Sequence, residues 1–267
     1  MTVLVRENPT APVVAISLML RMGTRWETRA NAGISNFLQL MVVRGSTSLD
    51  GTQIVSAADR MGGSIDAYAD ADYAEIPATA LSRYWGEMLD LVAEVALRPS
   101  LPDNTTQAVR DFLVRQIRNR ADKPYDAAFD SLMGRTYGDN PYAWDPIGLK
   151  ESLERMDRAA LLAHYRRHYV PGAMVLAVSG KVKNAEVVAQ SRASVRCAAG
   201  RAGARAERDG ATGTGNGAGG AHGAGRAGAD PHGRSRAVAD GSRSRGDEGR
   251  ERRAGRRAGE PILLGAS

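Results

Sequence analysis

The first 190 residues predict an α+β domain in which helices cover one face of a largely antiparallel sheet. Three observations carry this reading. Short segments of alternating character come in two pairs, each joined by turn-forming residues. Longer segments with apolar residues at helical spacing follow each pair, and one apolar strand closes the order. Half-apolar strands and striped helices then bury each other in a two-layer arrangement.

Thr2 to Arg6 and Pro12 to Met22 are rich in Val, Ile and Leu and flank Glu7-Asn8-Pro9-Thr10, so the first pair reads as a hairpin. Ile34, Phe37, Leu38, Met41 and Val42 then fall on one face of a helix that stops near Gly45. Asp50 caps a second helix reaching Met61, and Gly62-Gly63 ends it because glycine adopts the left-handed geometry at low cost. Ser64 to Asp70 and Tyr73 to Thr79, with Ala71-Asp72 between them, form a second expected hairpin. Helices are expected over Leu81 to Leu97, Asn104 to Arg120, Pro124 to Met133 and Asp157 to Tyr169, and a strand over Val170 to Gly180. If the end of the domain is lost to the tail that follows, apolar strand edges are expected to be exposed near Val175 to Val178.

Composition divides the chain in two. Residues 191–267 hold 18 Gly, 17 Ala and 15 Arg and no aromatic residue, so every Trp, Tyr and Phe lies in residues 1–190. The overall charge of +6 also belongs to this tail, where 15 Arg face 8 acids. Three readings of the tail stand: a disordered low-complexity linker, an Arg-rich arm drawn to nucleic acid, or a GC-rich gene translated out of frame. Acids such as Glu207, Asp209, Asp247, Glu248 and Glu251, with no aromatics for base stacking, count against nucleic acid. Cys197 is the only cysteine, which excludes an internal disulfide and a Cys-based zinc site. No segment is long and apolar enough to span a membrane, and the N-terminus lacks the features of a signal peptide, so the default compartment is cytoplasmic.

His164 and His168 are the only histidines in residues 1–190, spaced i, i+4 on an expected helix. That spacing suits metal chelation, but a solvated helix face explains it as well. No serine-histidine-acid set and no phosphate-cradling glycine loop is visible.

Four phrases follow one another in order: Arg21-Met22-Gly23-Thr24-Arg25-Trp26-Glu27, Gly33 to Met41, Met61-Gly62-Gly63 with Ser64 to Asp70, and Tyr169 to Gly180. In this the chain resembles the pitrilysin and insulinase-like metallopeptidases, family M16, which include the mitochondrial processing peptidases. The resemblance covers about residues 1 to 190 and implies the fold of LuxS/M16-like metalloenzymes. It also implies a zinc motif, His-x-x-Glu-His, on the helix after the first strand pair, and a third ligand, a Glu, on a later helix. At those positions this chain has Asn36, Gln39, Leu40 and Gln116, with Val109 where a supporting acid would fall.

Zinc needs imidazole, thiolate or carboxylate donors, whereas Asn and Gln offer weak neutral amide oxygens and Leu offers none. Without a Glu there is also no base to take a proton from metal-bound water. The expectation is therefore a homologue with no metal or catalytic residue and no cofactor, although zinc is expected for the family. Its expected partners are a catalytic M16 subunit carrying an intact motif and a peptide or unfolded polypeptide. In the family a peptide adds as a strand beside the metal helix, which puts Asp66, Ala67, Tyr68 and Ala69 forward as peptide contacts. The resemblance also implies that a full unit has two such domains, of which this chain carries the first. Two alternatives remain open: an active metallopeptidase in which His164 and His168 approach Glu75 or Glu87, and a peptide-binding module with no protease history.

Overall fold

The computed structural model describes residues 1–194. The expected tail, with its three readings, lies outside the described residues apart from its first four positions. Six strands, β1 (Thr2–Glu7), β2 (Val13–Leu20), β3 (Ser64–Ile65), β4 (Tyr68–Ala69), β5 (Ala74–Leu81) and β6 (Met174–Gly180), form one sheet in the order β1-β6-β2-β5-β3, with β4 also on β5. All its ladders are antiparallel except β1 on β6, which runs parallel from Thr2↔Val175 to Glu7↔Gly180.

The first expected hairpin does not form, because β6 lies between β1 and β2. Burial explains the preference. Val14, Ile16, Leu18 and Leu20 of β2 and Met174, Leu176 and Val178 of β6 are all buried on the helix side, whereas β1 is largely exposed, with Leu4 at 55%. The more apolar strand takes the central slot. The link over residues 8–12 permits it, since five residues reach about 17 Å at full extension. Strands two places apart are separated by only about 10 Å. Val175 to Val178 are therefore central, not the exposed edge expected from sequence.

The second hairpin forms as expected, with Asp70 N–H donating to Tyr73 O across the turn. Its first arm breaks into β3 and β4 where the Asp66 side chain accepts from Ala67 N–H at 2.8 Å. One sheet face carries α1 (Ile34–Val42), α2 (Gly51–Arg60), α3 (Trp85–Leu97), α4 (Asp103–Ala121), α5 (Pro124–Tyr137), α6 (Lys150–Arg155), α7 (Arg158–His168) and α8 (residues 184–194) as the helical complement of the fold. Phe37, Leu38, Met41 and Val42 of α1 are fully buried and sit at the centre of the core. α6 and α8 are additions to the sequence reading. α8 crosses the expected boundary at residue 190, and its Ser194 hydroxyl donates to Asp90 Oδ1 of α3 at 2.6 Å. Among the described residues no helix is long and apolar enough to cross a membrane.

Asp50 caps α2 by accepting from Gln53 N–H at 2.8 Å, and Gly62 (φ 68°) reverses the chain after it. Gly63 then passes so close to β5 that a Cβ there would lie 1.7 Å from the carbonyl oxygen of Thr79. Gly63→Ala must push β5 aside, and a loss of about 3 kcal/mol or more is expected in urea unfolding.

Candidate functional site

α1 is fixed at its start by a buried acid. Glu27, only 4% exposed, accepts from Gly33 N–H at 2.7 Å and Ser35 N–H at 2.9 Å, satisfying two donors that a helix start leaves unpaired. Burial pushes its carboxyl above the ordinary range, and the two backbone donors pull the other way. Gly33 (φ 91°) meets Gly148 (φ 95°) at backbone distance, so the segment leading to α6 crosses directly over the entrance to α1.

α4 packs beside α1, and between them opens a cleft of about 510 Å³. Asn36 of α1, Gln116, Asn119 and Arg120 of α4, Ala69 of β4, and Lys123, Asp126, Asp145, Pro146 and Ile147 line it. Arg120 holds the wall together, reaching Asp130 at 2.9 Å, Asp145 at 3.1 Å and Asp126 at 3.7 Å.

The four positions singled out by resemblance divide in two. Asn36 and Gln116 meet in the cleft. Leu40 is partly buried and packs on the core, and Gln39 is fully buried, with neither amide atom hydrogen-bonded. The Tyr169 hydroxyl lies near that amide, equally unpaired, and burial raises its pKa. Val109 is a core residue. Asn119, Arg120 and Lys123 escaped the sequence reading. The signal for two of them was a polar stripe, since Gln116, Asn119 and Lys123 are spaced i, i+3, i+7.

The structure does not assemble the alternative set around the two histidines. His164 and His168 are 7% and 6% exposed, not on a solvated face, with ring centroids 4.4 Å apart behind α1. His164 Nε2 lies 3.1 Å from Ser35 Oγ, and His168 Nδ1 donates to the Arg21 carbonyl at 3.1 Å. Glu75 belongs to the opposite sheet face, where it accepts from Ser17 at 2.6 Å and from Tyr68, and Glu87 is exposed on α3. Among the described residues, no three of His, Cys, Asp and Glu group closely enough to hold a metal.

This histidine pair makes stability depend on pH. Burial, then His168 and Arg167, push His164 from 6.5 down to about 3, and burial lowers His168 as well. Between those limits the unfolded chain binds more protons than the native one, so stability is full above pH 6.5 and falls on acidification. The slope from one such group is at most about 1.4 kcal/mol per pH unit. Glu27, with its raised carboxyl, acts in the opposite sense: its contribution is full at low pH and is lost as pH rises through its native pKa. Urea midpoints for the parent chain should drop from pH 7 to pH 5. His164→Gln, which keeps a partner for Ser35, should flatten that drop.

The strand edge beside the cleft is also polarised. Asp66 N–H donates to Pro77 O and Asp70 N–H to Tyr73 O, and Tyr68 pairs with Glu75 between them. By alternation, the main-chain groups of Asp66 and Tyr68 turn inward to β5, while those of Ala67 and Ala69 turn to the open edge. Ala67 N–H is taken by the Asp66 carboxylate, which leaves Ala69, its side chain packed into the core at 8% exposure, as the remaining pairing position by this alternation. No further strand covers this edge among the described residues.

The fold is thus a mixed sheet backed by a central helix, with a cleft where that helix, α4 and the β4 edge meet. The chain belongs to the insulinase family, peptidase family M16, whose family model matches residues 2–146. It is 26% identical over 182 residues to the uncharacterized zinc protease YmxG of Bacillus subtilis, covering 68% of this chain and 44% of that protein. It is 25% identical over 182 residues to cytochrome b-c1 complex subunit 1, mitochondrial, of Rattus norvegicus, covering 68% and 38%. Among solved structures, a peptidase M16 inactive domain from Pseudomonas fluorescens superposes with a TM-score of 0.68 at 24% identity, covering 73% of this chain and 47% of the other. A protease from Helicobacter pylori superposes with a TM-score of 0.69 at 20% identity, covering 72% and 46%. These two structures show the fold. The chain spans less than half the length of each of these relatives.

Proposed function

We propose that this is a zinc-free M16 homologue that binds extended polypeptide and works beside a catalytic M16 subunit with an intact His-x-x-Glu-His motif. The observation that carries the reading is the content of the cleft. Where the family's zinc donors would converge, Asn36 and Gln116 present amides. Leu40 has no lone pair to offer, and the Gln39 amide is neither basic nor in the cleft. These side chains do not fit a zinc ion, whose binding needs at least three imidazole, thiolate or carboxylate donors. Peptide binding is independent of that loss, because strand addition uses the main chain of the edge segment formed by Asp66, Ala67, Tyr68 and Ala69, where Asp66 and Tyr68 are paired to β5 and Ala69 is the open position. Similarity to a protein described as an inactive domain is in keeping with this role.

Metal content and casein cleavage, measured on the purified full chain, test the reading. The expected result is far less than one zinc per chain after incubation with zinc and dialysis, with no cleavage. One zinc per chain with cleavage that a chelator abolishes would overturn it.

A further inference from the structure

We infer that the cleft reads the backbone of an extended polypeptide through three carboxamides, Asn36, Gln116 and Asn119, and so binds chain interiors with little regard to side-chain sequence. This rests on the peptide-binding reading above and names what that site recognises. The charged groups of the cleft are already paired: Arg120 with Asp126, Asp130 and Asp145, and Lys123 with Asp126 at 3.9 Å. The amides are different. Among the described residues, the Asn36, Gln116 and Asn119 side chains make no hydrogen bond within the protein, and they come from two helices onto one cleft. Gln116 and Asn119 share a helix face at i, i+3.

A carboxamide offers an acceptor oxygen and donor hydrogens, which complement the N–H and C=O that one residue of an extended strand turns to the same side. The place where such a unit would arrive is also defined. Ala69 lines this cleft, and its main-chain groups face the open edge. A strand added there pairs one side with Ala69 and turns its other side, whose N–H and C=O groups would otherwise be unpaired, toward α1 and α4. The amides supply partners for that second side. Because neither partner carries net charge, binding should respond little to salt.

The test is fluorescence anisotropy on the full chain, using a dodecapeptide of alternating Thr and Val with fluorescein at its N-terminus and a C-terminal amide. The parent chain should bind it equally with or without a chelator, and within about twofold between low and high salt. The double variant Asn36→Leu, Gln116→Leu, checked for an unchanged melting curve, should weaken binding at least about tenfold. Asn119→Leu alone should give a smaller loss in the same direction. A peptide N-methylated at alternate residues should bind at least as poorly.

Three outcomes would overturn the inference. If the amide variants bind like the parent while Ala69→Pro abolishes binding, the peptide sits on the edge without the amides, and only this inference fails. If the parent chain does not bind, the peptide-binding reading fails with it. If a free-acid peptide binds far more tightly than the amidated one and salt removes the difference, the cleft captures a terminal carboxylate at Lys123 instead.

Discussion

A chain carrying Asn36→His, Leu40→His and Gln116→Glu is expected to take up one zinc ion, and the parent none. Positions 36 and 40 lie one turn apart on α1, the spacing at which two imidazoles chelate one ion, and Gln116 shares the cleft with Asn36. Three protein donors leave the fourth position open, as in catalytic zinc sites. With zinc at a hundred times its dissociation constant, the native state gains about 2.7 kcal/mol. In a domain of this size that is a rise of roughly 5–10 °C in Tm, readable by differential scanning fluorimetry with and without zinc. The triple variant should still not cleave casein, because Gln39 supplies no base. Adding Gln39→Glu would place a carboxylate where both amide atoms already lack partners, and a fall in Tm is expected from that step. No zinc-dependent shift in the triple variant would mean that α1 and α4 no longer hold the family's ligand spacing.

Glu27→Ala is expected to be among the most destabilising single changes in the domain. It strands the N–H groups of Gly33 and Ser35 in a buried place and leaves a void beside Trp144. Each unpaired buried donor costs about 1–3 kcal/mol, so the sum is about 2–6 kcal/mol. Glu27→Gln removes the buried charge but keeps only one acceptor oxygen, so one of the two N–H groups stays paired while the other faces an NH2 donor, and its loss should be about half that of Glu27→Ala. Urea unfolding followed by circular dichroism separates the two. Equal losses in both variants would show that the charge itself, not the acceptor, holds α1.

What the sequence made legible followed from periodicity. The faces of β2, β5 and β6 and the stripe of α1 were all readable, because alternation and helical spacing are local properties. Neighbour relations in the sheet were not. Two strands flanking a turn cluster read as a hairpin whether or not a distant third strand intervenes, and nothing within residues 2–22 announces β6. The resemblance located Asn36 and Gln116, but the cleft that joins them depends on how α4 crosses α1, and no spacing rule carries that. Gln39 shows the same limit: its position in the motif implied a place in the site, and only the packed helix reveals that its amide is sealed inside. The histidines were misjudged because an i, i+4 pair on a charged helix looks solvent-facing until α1 covers it.

The late arrival of β6 also shapes how the domain is born. As the chain leaves the ribosome, β1 and β2 emerge early, yet the slot between them stays empty until residues 174–180 have been made. Pairings this distant in sequence slow the final closure. During synthesis the apolar flanks of that slot stand exposed to other nascent chains, so residues 174–180 work as a keystone. A ribosome that stalls before them would release a sheet with its middle missing.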